Sequence, residues 1–188
     1  MTRITETERT ALADELLAIR CMLGEPAAFD ALVERWNPPL WRYVRRLTGD
    51  DDAAADTLHE VWLRILRGLP ALREPARLRP WLFGIARRAL MDRLRREYAA
   101  PFVDASAADQ LSAPEPEPGL LDDLDEMQEE LAAMPLLERE VLVLFYLQEL
   151  PLGQVAEVLD VPVGTVKSRL FRARNLLRDR LERKGFRR

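Results

Sequence analysis

The stretch QVAEVLDVPVGTVKSRLFRARNLLR, Gln154 to Arg178, decides how the chain reads. Val155, Ala156, Val158 and Leu159 mark a short apolar helix, Asp160-Val161-Pro162 a tight turn, and Val163 onward a longer helix. A short helix, a turn of three to four residues and a second helix able to enter the major groove are the parts of a helix-turn-helix. The second helix divides by face. Val166, Leu170, Ala173 and Leu177 step by four, three and four, so they pack inward. Lys167, Ser168, Phe171, Arg172 and Asn175 share another face. Lysine and arginine bond guanine edges, serine bonds either base type, and an aromatic ring contacts the thymine methyl group. Arg169, Arg174 and Arg178 are placed to meet phosphates, and Thr165 lies near the helix N-terminus, where backbone amides also bind phosphate.

Charge is segregated along the chain. The net charge of −4 is wrong for a nucleic-acid binder only on average. Residues 1–97 carry +2, residues 98–138 carry 11 acidic and no basic groups, and residues 161–188 carry +8. A basic tail beside an acidic middle suggests one DNA-facing element and something that limits it. The acidic stretch can screen the basic helix, which predicts poor DNA binding by the isolated protein.

The periodicity is helical nearly throughout. Leu12, Leu16, Ile19 and Leu23 step as the face of a first helix. Phe29, Leu32, Val33, Trp36 and Leu40 make a second, which Pro38-Pro39 is expected to break before Trp41, Val44 and Leu47. Leu58, Val61, Trp62, Ile65, Leu66 and Leu69 stripe a third helix, and Trp81, Leu82, Ile85, Leu90 and Leu94 a fourth, with a loop from Pro70 to Pro80 between them. Residues 99–119, with Pro101, Pro114, Pro116 and Pro118 among acidic and small residues, are too polar to form a core. Leu120, Leu124, Met127, Leu131 and Met134 open a second helical unit, and Val141, Leu142, Leu144, Phe145 and Leu147 form its buried centre. The fold class is therefore all-α: an N-terminal extension (1–23), a helical domain (24–97), a flexible acidic linker (98–119) and a second helical domain (120–185).

One cysteine (Cys21) and one histidine (His59) provide neither a disulfide nor an ordinary metal site, and no cofactor is expected. No apolar run approaches the roughly 18 residues of a membrane span, and Met1 to Arg20 lack the apolar stretch of a signal peptide. The chain reads as cytoplasmic, without direct membrane insertion. It has no phosphate-binding glycine loop and no nucleophile–base set, so neither an enzyme nor a small-molecule substrate is expected.

With these residues in view, VPVGTVKSRLFRARNLLR (Val161 to Arg178) resembles the second helix of the C-terminal domain of RNA polymerase sigma factors of the extracytoplasmic-function group. MPLLEREVLVLFYLQELPLGQVAEVL (Met134 to Leu159) resembles that domain's earlier helices. AAFDALVERWNPPLWRYVRRLTGD (Ala27 to Asp50), AADTLHEVWLRILRGL (Ala54 to Leu69) and RPWLFGIARRALMDRLRR (Arg79 to Arg96) resemble the family's other domain. The resemblance implies an all-α sigma region 2 and a sigma region 4 helix-turn-helix. It implies partners: core RNA polymerase, promoter DNA and an anti-sigma factor, often membrane-bound, which would hold the protein at the membrane.

Residue roles follow from the same resemblance. Thr165, Lys167, Ser168, Arg169, Phe171, Arg172 and Arg174 would bind the minus-35 element. Arg77, Arg79, Trp81, Arg87 and Arg88 would bind the minus-10 element, the Pro70–Pro80 loop holding a base drawn from the melted strand. Arg87, Arg88, Arg93, Arg95 and Arg96 would form a basic ridge along single-strand phosphates. Asp56, His59, Glu60 and Arg64 would dock on core polymerase. His59 stands where the family usually has Gln, Pro80 where Thr is common, Arg88 where Asn is common, and Pro151-Leu152 where Ser-Tyr is frequent. Two other readings remain open: a sigma-like decoy that binds an anti-sigma factor, and a stand-alone helix-turn-helix regulator.

Overall fold

A computed structural model of the chain describes residues 5–98 and 128–184, all helices and turns with no strand among them. The expected linker, apart from Tyr98, and the expected stripe residues Leu120, Leu124 and Met127 lie outside the described residues.

The N-terminal domain begins with α1 (Glu6–Met22), started by a capping box. The Thr5 side chain accepts from the Glu8 amide while the Glu8 carboxylate accepts from the Thr5 amide. The expected stripe Leu12, Leu16, Ile19 and Leu23 is exposed. The helix instead buries Asp14 and Ala18 and packs Leu17, Cys21 and Met22 against the core. Two apolar stripes run along this helix, and the sequence pattern does not say which one the core takes.

Helix α2 (Pro26–Thr48) runs unbroken through Pro38 and Pro39. An interior proline costs about 3 kcal/mol or more. Here Leu32, Trp36, Leu40, Tyr43, Val44 and Leu47 stay on one buried face across the prolines, and that burial outweighs the local cost. The helix ends at Gly49, whose φ of 78° places it in the left-handed region while its N–H donates to the Arg45 carbonyl at 2.9 Å. Asp50 then caps α3 (Asp51–Gly68) by accepting from the Ala53 amide at 2.7 Å. In α3, Leu58, Val61 and Ile65 are buried as expected, but Leu66 points to solvent.

The expected Pro70–Pro80 loop is shorter than the sequence suggests. Two 3-10 turns, Leu69–Ala71 and Pro75–Arg77, lead into α4 (Leu78–Tyr98), so Arg79, Pro80 and Trp81 occupy its first turn. A proline that early sacrifices no helical hydrogen bond.

In the C-terminal domain, α5 (Gln128–Ala132) precedes α6 (Leu136–Leu142), which continues as a π-helical turn over Val143–Leu147. Helix α7 (Leu152–Leu159), the turn Asp160–Pro162 and α8 (Val163–Arg183) complete the expected helix-turn-helix. Asp160 takes the left-handed conformation at the end of α7, with φ 54°.

The two domains pack together. Helix α4 lies between α3 on one side and α7 on the other, and α2 meets α5 and α6. Leu82, Phe83, Ile85, Ala86, Ala89, Leu90 and Met91 are all buried. This explains why α4 is apolar on more than one side.

Candidate nucleic-acid interface

The candidate reading face of α8 is set by its opposite face. Val166, Leu170, Ala173 and Leu177 are buried, as their spacing predicts, and fix the helix on α6 and α7. Phe171, 39% exposed, and Arg172 therefore project outward, with Lys167, Arg174 and Asn175 half-buried beside them and Arg178 open to solvent. A phenylalanine left partly open on a basic helix suits an apolar base contact. Thr165 lies in the first turn, half-buried.

Two expected DNA contacts are placed elsewhere. Ser168 is buried, and its hydroxyl donates to the Thr165 carbonyl at 3.0 Å. Arg169 is only 2% exposed, so it does not stand where a phosphate would meet it. Its charge helps to favour the ionised form of Glu140 on α6. The serine hydroxyl is bonded to its own helix turn and the arginine is buried, so both side chains belong to the domain's interior.

Glu140 is fully buried and ties α6 to two other helices. The Tyr43 hydroxyl on α2 donates to its Oε1 at 2.8 Å, and the Arg87 Nε on α4 donates to the same oxygen at 3.2 Å. Burial pushes the Glu140 carboxyl above the usual carboxylate range, opposed by Arg87, Tyr43 and Arg169. Burial also pushes the Tyr43 hydroxyl well up, reinforced by the Glu140 charge. Neither residue is prominent in the sequence. Tyr43 hides among the apolar steps of α2. Glu140 closes the charged triplet Glu138-Arg139-Glu140 before a dense apolar run, and nothing in that triplet marks it as the buried member.

The candidate minus-10 residues meet the C-terminal domain directly. Arg77 Nη2 donates to Glu157 Oε2 of α7 at 2.6 Å. Arg79 donates to the Gln148 carbonyl, and its guanidinium lies over the Trp36 ring at 6.0 Å from the centroid. Burial lowers the Arg79 pKa, offset by the nearby charges of Asp14 and Glu149. Arg87 is held by Glu140. Trp81 is half-buried against the close approach of Gly68, where an added Cβ would stand 3.1 Å from its ring. Arg88 is exposed. The expected basic ridge is thus reduced: Arg93 is tied to Glu97 at 2.7 Å and Arg95 to Asp92 at 3.1 Å.

Asp56, His59 and Glu60 line a cleft of about 420 Å³ between α3 and α4, with Arg93, Arg96 and Glu97 opposite. Arg64 bonds Glu60 and Asp92, each at 2.8 Å, so it is a brace between the two helices. The Arg64 hydrogen bond holds the Glu60 carboxyl below the usual carboxylate range. Among the described residues, no group of three or more His, Cys, Asp or Glu is placed to hold a metal ion. No helix among them is long and apolar enough to cross a membrane.

Part of the acidic stretch does meet the basic helix. Glu129 and Glu130 of α5 pair with Lys184 at 3.3 and 2.6 Å, and Glu130 with Arg180 at 3.7 Å. These contacts fall at the C-terminal end of α8, away from Lys167 to Arg172.

Comparison with known proteins agrees with this geometry. Residues 32–99 match the family model for sigma-70 region 2, and residues 124–177 that for sigma-70 region 4. The chain is 34% identical to the ECF RNA polymerase sigma factor SigL of Mycobacterium tuberculosis, covering 86% of this chain and 93% of that one. It is 31% identical to a probable RNA polymerase sigma-C factor of Mycobacterium bovis (89% and 92% covered) and 29% identical to SigW of Bacillus subtilis (84% and 91%). In fold it is similar to CnrH bound to the cytosolic domain of CnrY, at TM-score 0.69 and 23% identity, covering 92% of this chain and 99% of that one. It is also similar to RpoE bound to the anti-sigma factor NepR from Bartonella quintana, at TM-score 0.66 and 24% identity, covering 85% and 98%. The chain belongs to the extracytoplasmic-function group of the sigma-70 family of RNA polymerase sigma factors.

Proposed function

We propose that the chain binds core RNA polymerase through the α3 cleft and brings it to promoters read at two elements. Lys167, Phe171 and Arg172 read the minus-35 element, with Thr165 and Arg174 steadying the helix on the backbone. Arg77, Arg79, Trp81, Arg87 and Arg88 engage the melted minus-10 strand. The observation that carries this reading is the joint presence of an outward-facing helix-turn-helix and a second helical domain with an open polar cleft at Asp56, His59 and Glu60. A stand-alone regulator has no use for the second.

In the free protein three of the five proposed minus-10 residues are engaged. Arg77, Arg79 and Arg87 each spend a hydrogen bond on the C-terminal domain. Promoter binding therefore requires the domains to part, and core polymerase is the partner that holds them apart. An anti-sigma factor is the natural antagonist, since it has only to favour the packed arrangement. Run-off transcription with purified core enzyme tests the function: a promoter-specific transcript is expected. A chain that binds an anti-sigma factor yet yields no transcript would be the decoy instead. Tight, specific promoter binding by the isolated chain in a gel shift would refute the need for domain separation.

A further inference from the structure

The outward face of α1 is unaccounted for. Leu12 is 54% exposed, Leu16 58%, Ile19 39% and Leu23 75%, and they succeed one another at spacings of four, three and four. This is the alternation of a coiled-coil seam, with Leu12 and Ile19 at d and Leu16 and Leu23 at a. The other side of the helix already holds the protein together. It buries Ala18, and Asp14 pairs with Arg35 at 2.6 Å. Four large aliphatic side chains in one exposed row are more than the scattered apolar residues of an ordinary surface.

The charges flanking the row indicate what covers it. Glu8 and Glu15 occupy g positions on one flank, and Arg20 an e position on the other. In a parallel pair, g of one helix meets the e position five residues further along its partner, and Glu15 to Arg20 has that separation. An antiparallel pair would set the acidic flanks against each other. An anionic lipid surface is a poor alternative, because Glu6, Glu8, Arg9, Asp14, Glu15 and Arg20 leave the helix with a net charge of −2.

We infer that α1 pairs with α1 of a second copy of this chain, parallel and in register, through Leu12, Leu16, Ile19 and Leu23. Arg9 takes the a position before this seam and limits it to four layers. So short a seam falls at the low end of specific interface areas, about 1,000 Å² in total, and the dimer is weak and concentration-dependent. Arg20 also donates through Nε to Glu25 at 2.8 Å within its own chain, which fixes the guanidinium at the edge of the seam. The same helix packs against the turn Pro75–Arg77, so pairing stiffens the backing of the candidate minus-10 loop.

Sedimentation equilibrium of the full chain, with Cys21→Ser to exclude adventitious oxidation, tests this. A monomer–dimer equilibrium is expected in the micromolar-to-millimolar range. The double variant Leu16→Glu/Ile19→Glu is expected to be monomeric while still folded by circular dichroism, since Leu16 is 58% and Ile19 39% exposed. Glu15→Arg or Arg20→Glu alone is expected to weaken the dimer by roughly tenfold, and the two together to restore it. Leu16→Cys in the Cys21→Ser background is expected to form a symmetric disulfide, because only the parallel register brings residue 16 beside its own copy. A chain that stays monomeric throughout, a dimer indifferent to Leu16→Glu/Ile19→Glu, a double charge exchange no better than either single one, or a dimer without the cross-link would each overturn the inference.

Discussion

Tyr43, inside the core of the N-terminal domain, donates its hydroxyl hydrogen to Glu140 of the C-terminal domain at 2.8 Å across 97 residues of sequence. Both groups are fully buried, so the bond is not shared with water. Tyr43→Phe keeps the ring and its edge-on contact with Phe83 at 5.4 Å but removes the donor. Glu140 is then left with fewer bonds than its burial demands. The expected cost is about 1–3 kcal/mol in chemical denaturation. Because the bond spans the domains, the variant should also bind an isolated minus-10 single strand more tightly than the parent in fluorescence anisotropy.

The pH dependence of this contact has a definite sign. Burial raises the Glu140 pKa above its ordinary value. A group whose pKa is raised on folding gives stability that is complete below its unfolded pKa and is lost as pH rises through the folded one. Thermal stability should therefore decline with rising pH just above the normal carboxylate range, and Glu140→Gln should remove that slope. A parallel decline in both proteins, followed by differential scanning calorimetry, would assign it to other groups.

Arg169 and Arg172 lie three residues apart on α8 and should behave oppositely. Arg172→Ala is expected to relax minus-35 selection by roughly 1–3 kcal/mol with little change in folding. Arg169→Ala removes a buried cation whose charge supports the ionised Glu140 and is expected to cost about 3 kcal/mol of stability. Its promoter preference should be unchanged once the fraction folded is corrected for. Promoter-library transcription beside urea denaturation separates the two roles.

The joint between α2 and α3 precedes the helix that lines the α3–α4 cleft and is sensitive at two adjacent residues. Gly49 is held at φ 78°, so Gly49→Ala is expected to cost about 1–2 kcal/mol. Asp50→Ala removes the α3 cap and is expected to cost about 0.5–2 kcal/mol. Thermal melts of both variants check these values, and Asp50→Ala should also weaken core-polymerase binding if α3 is the docking helix.

The helix-turn-helix was fully legible in the sequence because its apolar steps, turn and polar face coincide within 25 residues. The continuity of α2 was not. Pro38-Pro39 is a strong local signal, and only the buried face that unites Leu32 with Leu47 overrides it. Arg169 was misplaced for a related reason. In a basic run every arginine looks like a phosphate ligand, and nothing in the run marks Arg169 as the one that is 2% exposed. The closure of the domains through Arg77, Arg79 and Arg87 was also out of reach. A polar contact between two folded units leaves no periodicity in either. The charge segregation pointed to the acidic stretch as a restraint on DNA binding; its described part, Glu129 and Glu130, pairs with Arg180 and Lys184, while the described contacts at the candidate minus-10 residues come from Gln148, Glu157 and Glu140.

Helix α4 is buried on both its α3 and α7 sides, so parting the domains bares one of them. An opened chain without polymerase carries a fresh apolar surface and loosened polar contacts, the condition under which proteases and aggregation find a protein. Closure thus bears on lifetime as well as on DNA binding. Copies that fail to find core enzyme persist only while shut, and the working concentration of the factor becomes tied to the supply of polymerase that can receive it.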